Sequence, residues 1–214
     1  MPYPKFWTES ELEKLKSLYN SGLSMREVGE YYGKSVRAIV SVMKRHHIIR
    51  RPASITRTYQ FSKSPLSFQV KQNLNHHEEL LKIAGLMLYW GEGGKKNSKG
   101  VDFVNSDPDM IIVFLRFLRI VYQIDEARLR VYLYTYQSLP TPRLVDYWSK
   151  LTKIPNTQFT KPYIREKSSQ KHDKMSHGLI HIRYSDKRLF ELIMSEISSF
   201  ISSWDGGAVK HTTL

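Results

Sequence analysis

Apolar residues in the first part of the chain recur every three or four positions, in three short runs separated by glycine-containing turns. Leu12, Leu15, Leu18 and Tyr19 form one face, the spacing of an amphipathic helix. Thr8 stands where a cap is needed, Glu11 completes a capping box, and Trp7 faces Leu12 as a hydrophobic staple. Asn20-Ser21-Gly22 ends that run. Ser24 and Glu27 repeat the box, with Leu23 and Val28 as the staple, for a second helix stopping at Gly33. Ser35 caps a third, with Val36, Ile39, Val42 and Met43 on its buried side. Beyond Arg50 the periodicity fades. Pro52, Pro65 and scattered Ser, Thr and Gln predict a linker or extended arm over residues 51–75.

The pattern changes again at residues 78–90, which are apolar on nearly every side and predict a helix buried in a core or at a subunit interface. It ends at Gly91-Glu92-Gly93-Gly94. A short strand is expected over 101–105, after which Asp107 caps a helix with Pro108 at its first position. Alternation over 128–136 predicts a strand with Arg130, Tyr132, Tyr134 and Tyr136 on one face and Leu129, Val131 and Leu133 on the other. A helix over 144–151 follows, then a basic loop. A strand over 178–184 points His181 and Arg183 away from Ile180, Ile182 and Tyr184, and a last helix runs from Lys187 to about Ile201. A further strand fits near 159–164. The expected fold class is α+β: a three-helix domain over 1–50, a basic linker over 51–75, and an α+β domain over 76–204. In the last, helices cover one face of a mainly antiparallel sheet, and residues 205–214 form a tail.

Composition narrows the chemistry. The 214 residues include no cysteine, which excludes a disulfide scaffold, a thiolate zinc site and a cysteine nucleophile. No apolar signal segment opens the chain, and the longest apolar run, 110–115, is far below the roughly 20 residues of a membrane span. A soluble protein is expected, not secreted and not in a membrane, in the cytoplasm or associated with the nucleoid. Lys and Arg number 33 against 20 Asp and Glu, a net charge of +13, which points toward a polyanion. No acid lies between Glu30 and Glu78.

That surplus has a direction. On the outer side of the third helix Arg37, Ser41 and Lys44 fall at i, i+4 and i+7, with Arg45 beside them. Arg and Lys can read guanine O6 and N7, and Ser can reach a phosphate or base edge. Arg50 and Arg51 in the arm are placed to track phosphates. A second DNA surface is expected on the sheet, where Arg130, Tyr132, Tyr134, His181 and Arg183 would share a face. The tyrosine stripe can stack on unpaired bases, but packing or lying over duplex phosphates is its ordinary reading. His172, His177 and His181 read as solvated or phosphate-contacting rather than metal-binding. Trp90, Trp148 and Trp204 read as core or interface.

Two resemblances follow. The string from Phe6-Trp7-Thr8 through Gly22-Leu23-Ser24-Met25-Arg26-Glu27-Val28 to Lys44-Arg45 resembles Myb-like and resolvase-type helix-turn-helix domains, which implies a third helix in the major groove. Ile83-Ala84-Gly85-Leu86 through Gly91-Glu92-Gly93, followed by Val101-Asp102-Phe103-Val104-Asn105-Ser106-Asp107-Pro108, resembles the LAGLIDADG homing endonucleases over most of residues 78–200. That resemblance implies a homodimer through the helix ending at Glu92, with Glu92 as Mg²⁺ ligand and catalytic residue and double-stranded DNA as the substrate to be cut. Lys95 and Lys96 are the nearest candidate supporting cations. They would also relieve a carboxylate set against the negative end of a helix dipole. The pattern departs from the family at Leu86-Met87, where small residues are usual, and at Trp90, where the family carries its first acid. Bacterial regulators that join a degenerate domain of this family to a helix-turn-helix bind without cutting, and that is the alternative reading.

Overall fold

A computed structural model describes residues 7–95, 99–137, 139–166 and 177–204, in two compact units, Met1–Pro65 and Leu66–Leu214. In the first unit, α1 (Glu9–Asn20), α2 (Met25–Tyr31) and α3 (Val36–Arg45) start where the capping residues require. Thr8 Oγ1 accepts from the Glu11 N–H at 3.2 Å while the Glu11 carboxylate accepts from the Thr8 N–H at 2.9 Å. Ser24 and Glu27 make the same reciprocal pair, and Ser35 accepts from the Ala38 N–H. Leu15, Tyr19, Val28, Ile39, Val42 and Met43 form the core, with Trp7, Leu12 and Leu23 around it. Val36, expected inside, is 42 % exposed, because Ile39, Val42 and Met43 take up the buried side of α3.

The α2–α3 connection is tight. Lys34 N–H donates to the Gly29 carbonyl at 2.8 Å, and a Cβ on Gly29 would stand 2.6 Å from the Lys34 carbonyl oxygen. Only glycine lets the turn fold back that closely.

The expected extended arm is corrected at its first half: residues 53–63 form α4 (Ala53–Lys63). This helix has no side-chain cap and buries none of its residues, so no local signal announces it. It is held from outside. Tyr59 lies against Gly22, and the Arg51 guanidinium sits between the Tyr19 and Tyr59 rings, 4.1 and 4.9 Å from their centroids.

The second unit runs α5 (His76–Glu92), β1 (Val101–Asn105), α6 (Pro108–Val121), β2 (Leu129–Tyr136), α7 (Thr141–Thr152), β3 (Tyr163–Arg165), β4 (Leu179–Tyr184), α8 (Lys187–Trp204). The sheet order is β1-β4-β2-β3. β4 pairs antiparallel with β1 and β2, and β3 pairs parallel with β2. The fold is α+β with a mixed sheet; the expectation of a mainly antiparallel sheet omits the parallel edge. The reason lies in α7, a crossover that returns the chain to β2 in its original direction.

One sheet face is packed. Val101, Phe103, Leu129, Val131, Leu133, Ile180, Ile182 and Tyr184 bury against α6 and its neighbours. Phe103 stacks on Phe114 at 4.1 Å and Phe114 on Tyr89 at 5.8 Å. α5 meets α6 at Gly85, where a Cβ would lie 2.1 Å from the Phe117 ring.

The second half of the expected arm is also ordered against this unit. Gln69 and Lys71 N–H groups donate to the Tyr122 and Val121 carbonyls at 3.0 and 2.9 Å. The Ser67 carbonyl accepts from the Asp125 N–H and the Tyr184 hydroxyl. Fully buried Asp186 takes the Ser67 hydroxyl at 2.7 Å and the Arg188 guanidinium at 3.0 Å. Among the described residues no helix is long and apolar enough to cross a membrane.

Candidate nucleic-acid interface

Among the described residues the second sheet face carries half-buried and exposed side chains, and strand register fixes which of them share it. Asp102 pairs with Arg183, and Arg183 with Arg130. Val104 pairs with His181, and His181 with Tyr132; Tyr134 pairs with Leu179 on one side and Tyr163 on the other. Directly opposed residues lie on the same face, so Arg130, Tyr132, Tyr134, His181 and Arg183 do come together, joined by Asp102, Tyr163 and Arg165.

Asp102 organises the β1–β4 side. Its carboxylate lies 3.0 Å from His181 Nδ1 and accepts from Arg183 Nε at 2.8 Å. A carboxylate only accepts here, so Nδ1 carries the proton and Nε2 is the ring nitrogen left for a ligand. Burial works to raise the Asp102 carboxyl; the hydrogen bond and charge of His181, together with the Arg183 guanidinium, outweigh it and hold the group below its ordinary range. Arg183 in turn lies 4.2 Å over the Tyr132 ring. Arg130 is turned back on its own backbone, donating to the Ala127 and Leu129 carbonyls at 2.7 and 2.6 Å.

Toward β3 the face becomes aromatic. The Tyr134 ring is 4.8 Å from His181 and 5.3 Å from Tyr163. Tyr134, Tyr136, Arg165, Leu179 and His181 line a cleft of about 370 Å³.

In the first unit Arg37, Ser41, Lys44 and Arg45 are exposed on α3, with no side-chain hydrogen bond or ion pair among the described residues. Arg50 is exposed beyond its end. Arg51 is a correction. Beyond its place between two rings, its backbone N–H donates to the Tyr19 hydroxyl and its guanidinium to the Leu23 carbonyl, so it binds α4 to the helical core instead of facing a phosphate.

Comparison with known protein families, curated proteins and solved structures gives no match. The site is therefore read from its own geometry.

Glu92 is the last residue of α5, exposed and without a hydrogen-bond or ion-pair partner among the described residues. Lys95 is exposed nearby in sequence, and Lys96 lies outside the described residues. No cluster of three His, Asp or Glu side chains forms a metal-sized group among the described residues. Among the described residues Glu92 is the carboxylate that α5 itself carries at its end.

His177 and His181 have different neighbours. His177 stacks on Tyr147 at 4.1 Å, its carbonyl accepts from Trp148 Nε1 at 2.7 Å, and His172 lies outside the described residues. Trp148 is fully buried, whereas Trp90 and Trp204 are 46 % and 77 % exposed. Asn105-Ser106-Asp107-Pro108 has a local role: Asn105 Oδ1 accepts from the Asp107 N–H, and Asp107 caps α6.

Sequence reasoning missed Asp102 as a site residue. A lone acid in a five-residue strand carries no signal until the register with β4 places it beside His181 and Arg183.

Proposed function

We propose that this is a DNA-binding protein whose first unit reads duplex DNA as a helix-turn-helix, with α3 as the reading helix. The supporting observation is the outer face of α3: Arg37, Ser41, Lys44 and Arg45 stand exposed and uncompensated on a helix anchored by Ile39, Val42 and Met43. Cations free of internal partners are available to phosphates and guanine edges. Replacing Arg37 and Lys44 by Ala tests this in a salt titration of duplex binding. If both meet phosphates, affinity falls and the slope of log K against log salt becomes shallower by about 2. Unchanged affinity and slope remove α3 from the mechanism.

A second reading, cleavage, is favoured by the free side of α5. Leu80, Ile83 and Trp90 are 51, 42 and 46 % exposed there, and Ala84, Met87 and Leu88 line a groove with Met110 and Val113 of α6. A two-fold dimer on this face is the proposed assembly, and it supplies the second Glu92 that one chain lacks. Two such carboxylates form an oxygen donor set of the kind Mg²⁺ takes. When bound, the ion would supply Lewis-acid activation of water at the scissile phosphate. Glu92 would hold it, with Lys95 adding positive charge beside it. Incubation with a random-sequence plasmid library and Mg²⁺ separates the readings. Cutting that Glu92→Gln abolishes while binding persists supports a nuclease, and equal cutting by that variant sinks it. Binding with no nicking under any divalent metal leaves a non-cutting regulator.

A further inference from the structure

The second sheet face differs from α3 in the chemistry it presents. Its two central arginines are committed, Arg130 to the Ala127 and Leu129 carbonyls and Arg183 to Asp102. The groups best suited to meet a duplex backbone are thus already engaged. What the face presents beside them is a row of rings across three strands, the exposed Tyr163 and the half-buried Tyr134 and His181, with neighbouring centroids 5.3 and 4.8 Å apart. The row borders a concave cleft of about 370 Å³, whose polar edge is the exposed Arg165 guanidinium, 5.7 Å from the Tyr163 ring centroid. Leu179 gives the cleft an aliphatic wall, and His181 reaches it with Nδ1 fixed by Asp102.

A flat apolar solute with a negative group at one end fits this arrangement. Duplex DNA hides its base faces in the stack and presents base edges and phosphates, with no π face for these rings. An unpaired nucleotide offers both parts, a π face for the rings and a phosphate for the guanidinium. The volume lies within the roughly 300–1,000 Å³ of small-ligand sites.

We propose that the β2–β3–β4 cleft binds one unpaired nucleotide of a nucleic-acid strand, its base against Tyr134 and His181 and its phosphate at Arg165. This rests on nucleic acid being the partner of the chain, but not on α3 reading a duplex.

The test uses the full chain and three fluorescein-labelled probes of about eight nucleotides: oligothymidylate, an abasic strand of equal charge, and a blunt duplex. Oligothymidylate should bind at least about tenfold more tightly than the abasic strand. Tyr134→Leu keeps the bulk on the sheet but removes the π face, and should weaken oligothymidylate binding roughly ten- to a hundredfold. Tyr134→Phe keeps the ring and should retain wild-type affinity for oligothymidylate. Circular dichroism checks folding, and Arg165→Ala at the exposed rim serves if the Tyr134 variants unfold, with an expected loss of about tenfold. Equal binding of the abasic and thymidine strands overturns the proposal. So does wild-type affinity in Tyr134→Leu, or in Arg165→Ala where that variant stands in. Failure of the wild-type chain to bind the duplex while it binds oligothymidylate would sink the helix-turn-helix reading and leave this one intact.

Discussion

Asp102 on β1 stands opposite Arg183 on β4 and reaches diagonally to His181, so one carboxylate fixes a guanidinium at 2.8 Å and an imidazole at 3.0 Å. Asp102→Asn should cost about 1–3 kcal/mol at neutral pH, because it leaves two partly buried donors poorly matched. The pH dependence has a definite sign. The folded-state pKa lies below the ordinary carboxylate value, so the stabilisation is complete above that value and is lost as pH falls through the lowered one. Urea unfolding at about pH 6 and about pH 3 should show the gap between wild type and Asp102→Asn shrinking in acid. A gap independent of pH would refute the assignment.

Glu27 gives the first unit its own acid limb. The Ser24 N–H, then the Ser24 hydroxyl, push its carboxyl down to about 2; partial burial opposes them and Lys63 assists. Stability from this pair is present above the ordinary pKa near 4.5 and fades as pH drops toward 2. Glu27 is 40 % exposed, so solvent screens its charge and the loss in Glu27→Gln should stay near about 1 kcal/mol, the scale of one cap. Amide exchange in α2, followed against pH, would show whether that helix loosens first.

Gly85→Ala should destabilise the second unit by about 1–3 kcal/mol through overpacking, since the new methyl would meet the Phe117 ring at 2.1 Å. Adding Phe117→Leu should recover part of that loss. A double-mutant cycle by thermal unfolding reads the coupling, and strict additivity would mean that the two sites do not touch in the way described.

Arg51→Lys keeps the charge but loses the flat guanidinium between Tyr19 and Tyr59. The first unit should lose about 1–2 kcal/mol, near the upper range of a desolvated cation–π contact. DNA affinity should fall only as far as the folded fraction falls. A drop in affinity with unfolding unchanged would return Arg51 to the interface.

The elements that could be read from the chain are those with local causes. Thr8 with Glu11, Ser24 with Glu27, and Asp107 with Pro108 announce helix starts because capping is settled within four residues. The alternation in β2 sorts Arg130, Tyr132, Tyr134 and Tyr136 from Leu129, Val131 and Leu133 because one side must be buried. What escaped depends on partners distant in sequence. α4 has neither cap nor buried stripe and exists through Arg51 and Tyr59. The strand expected near 159–164 is β3, shifted to three exposed residues, but its parallel pairing with Tyr134 and Tyr136 follows from the α7 crossover and was not legible. Of the candidate site, the exposed face of α3 was legible. Asp102 and the curled Arg130 were not, since their roles are decided by register.

α1 and α2 each begin with an acid in the first turn, whereas α3 begins with none and ends in Lys44 and Arg45. All the carboxylates of the helical unit therefore sit on its first two helices, and the positive end of the α3 dipole is left without a countercharge. Such a body has an electrical front and back. In the field of a polyanion the cationic end of α3 would be drawn forward more strongly than α1 and α2, where Lys14, Lys16 and Arg26 offset most of the acids. Encounters would then begin oriented, and the rate of productive docking would depend on ionic strength even where the final contacts do not.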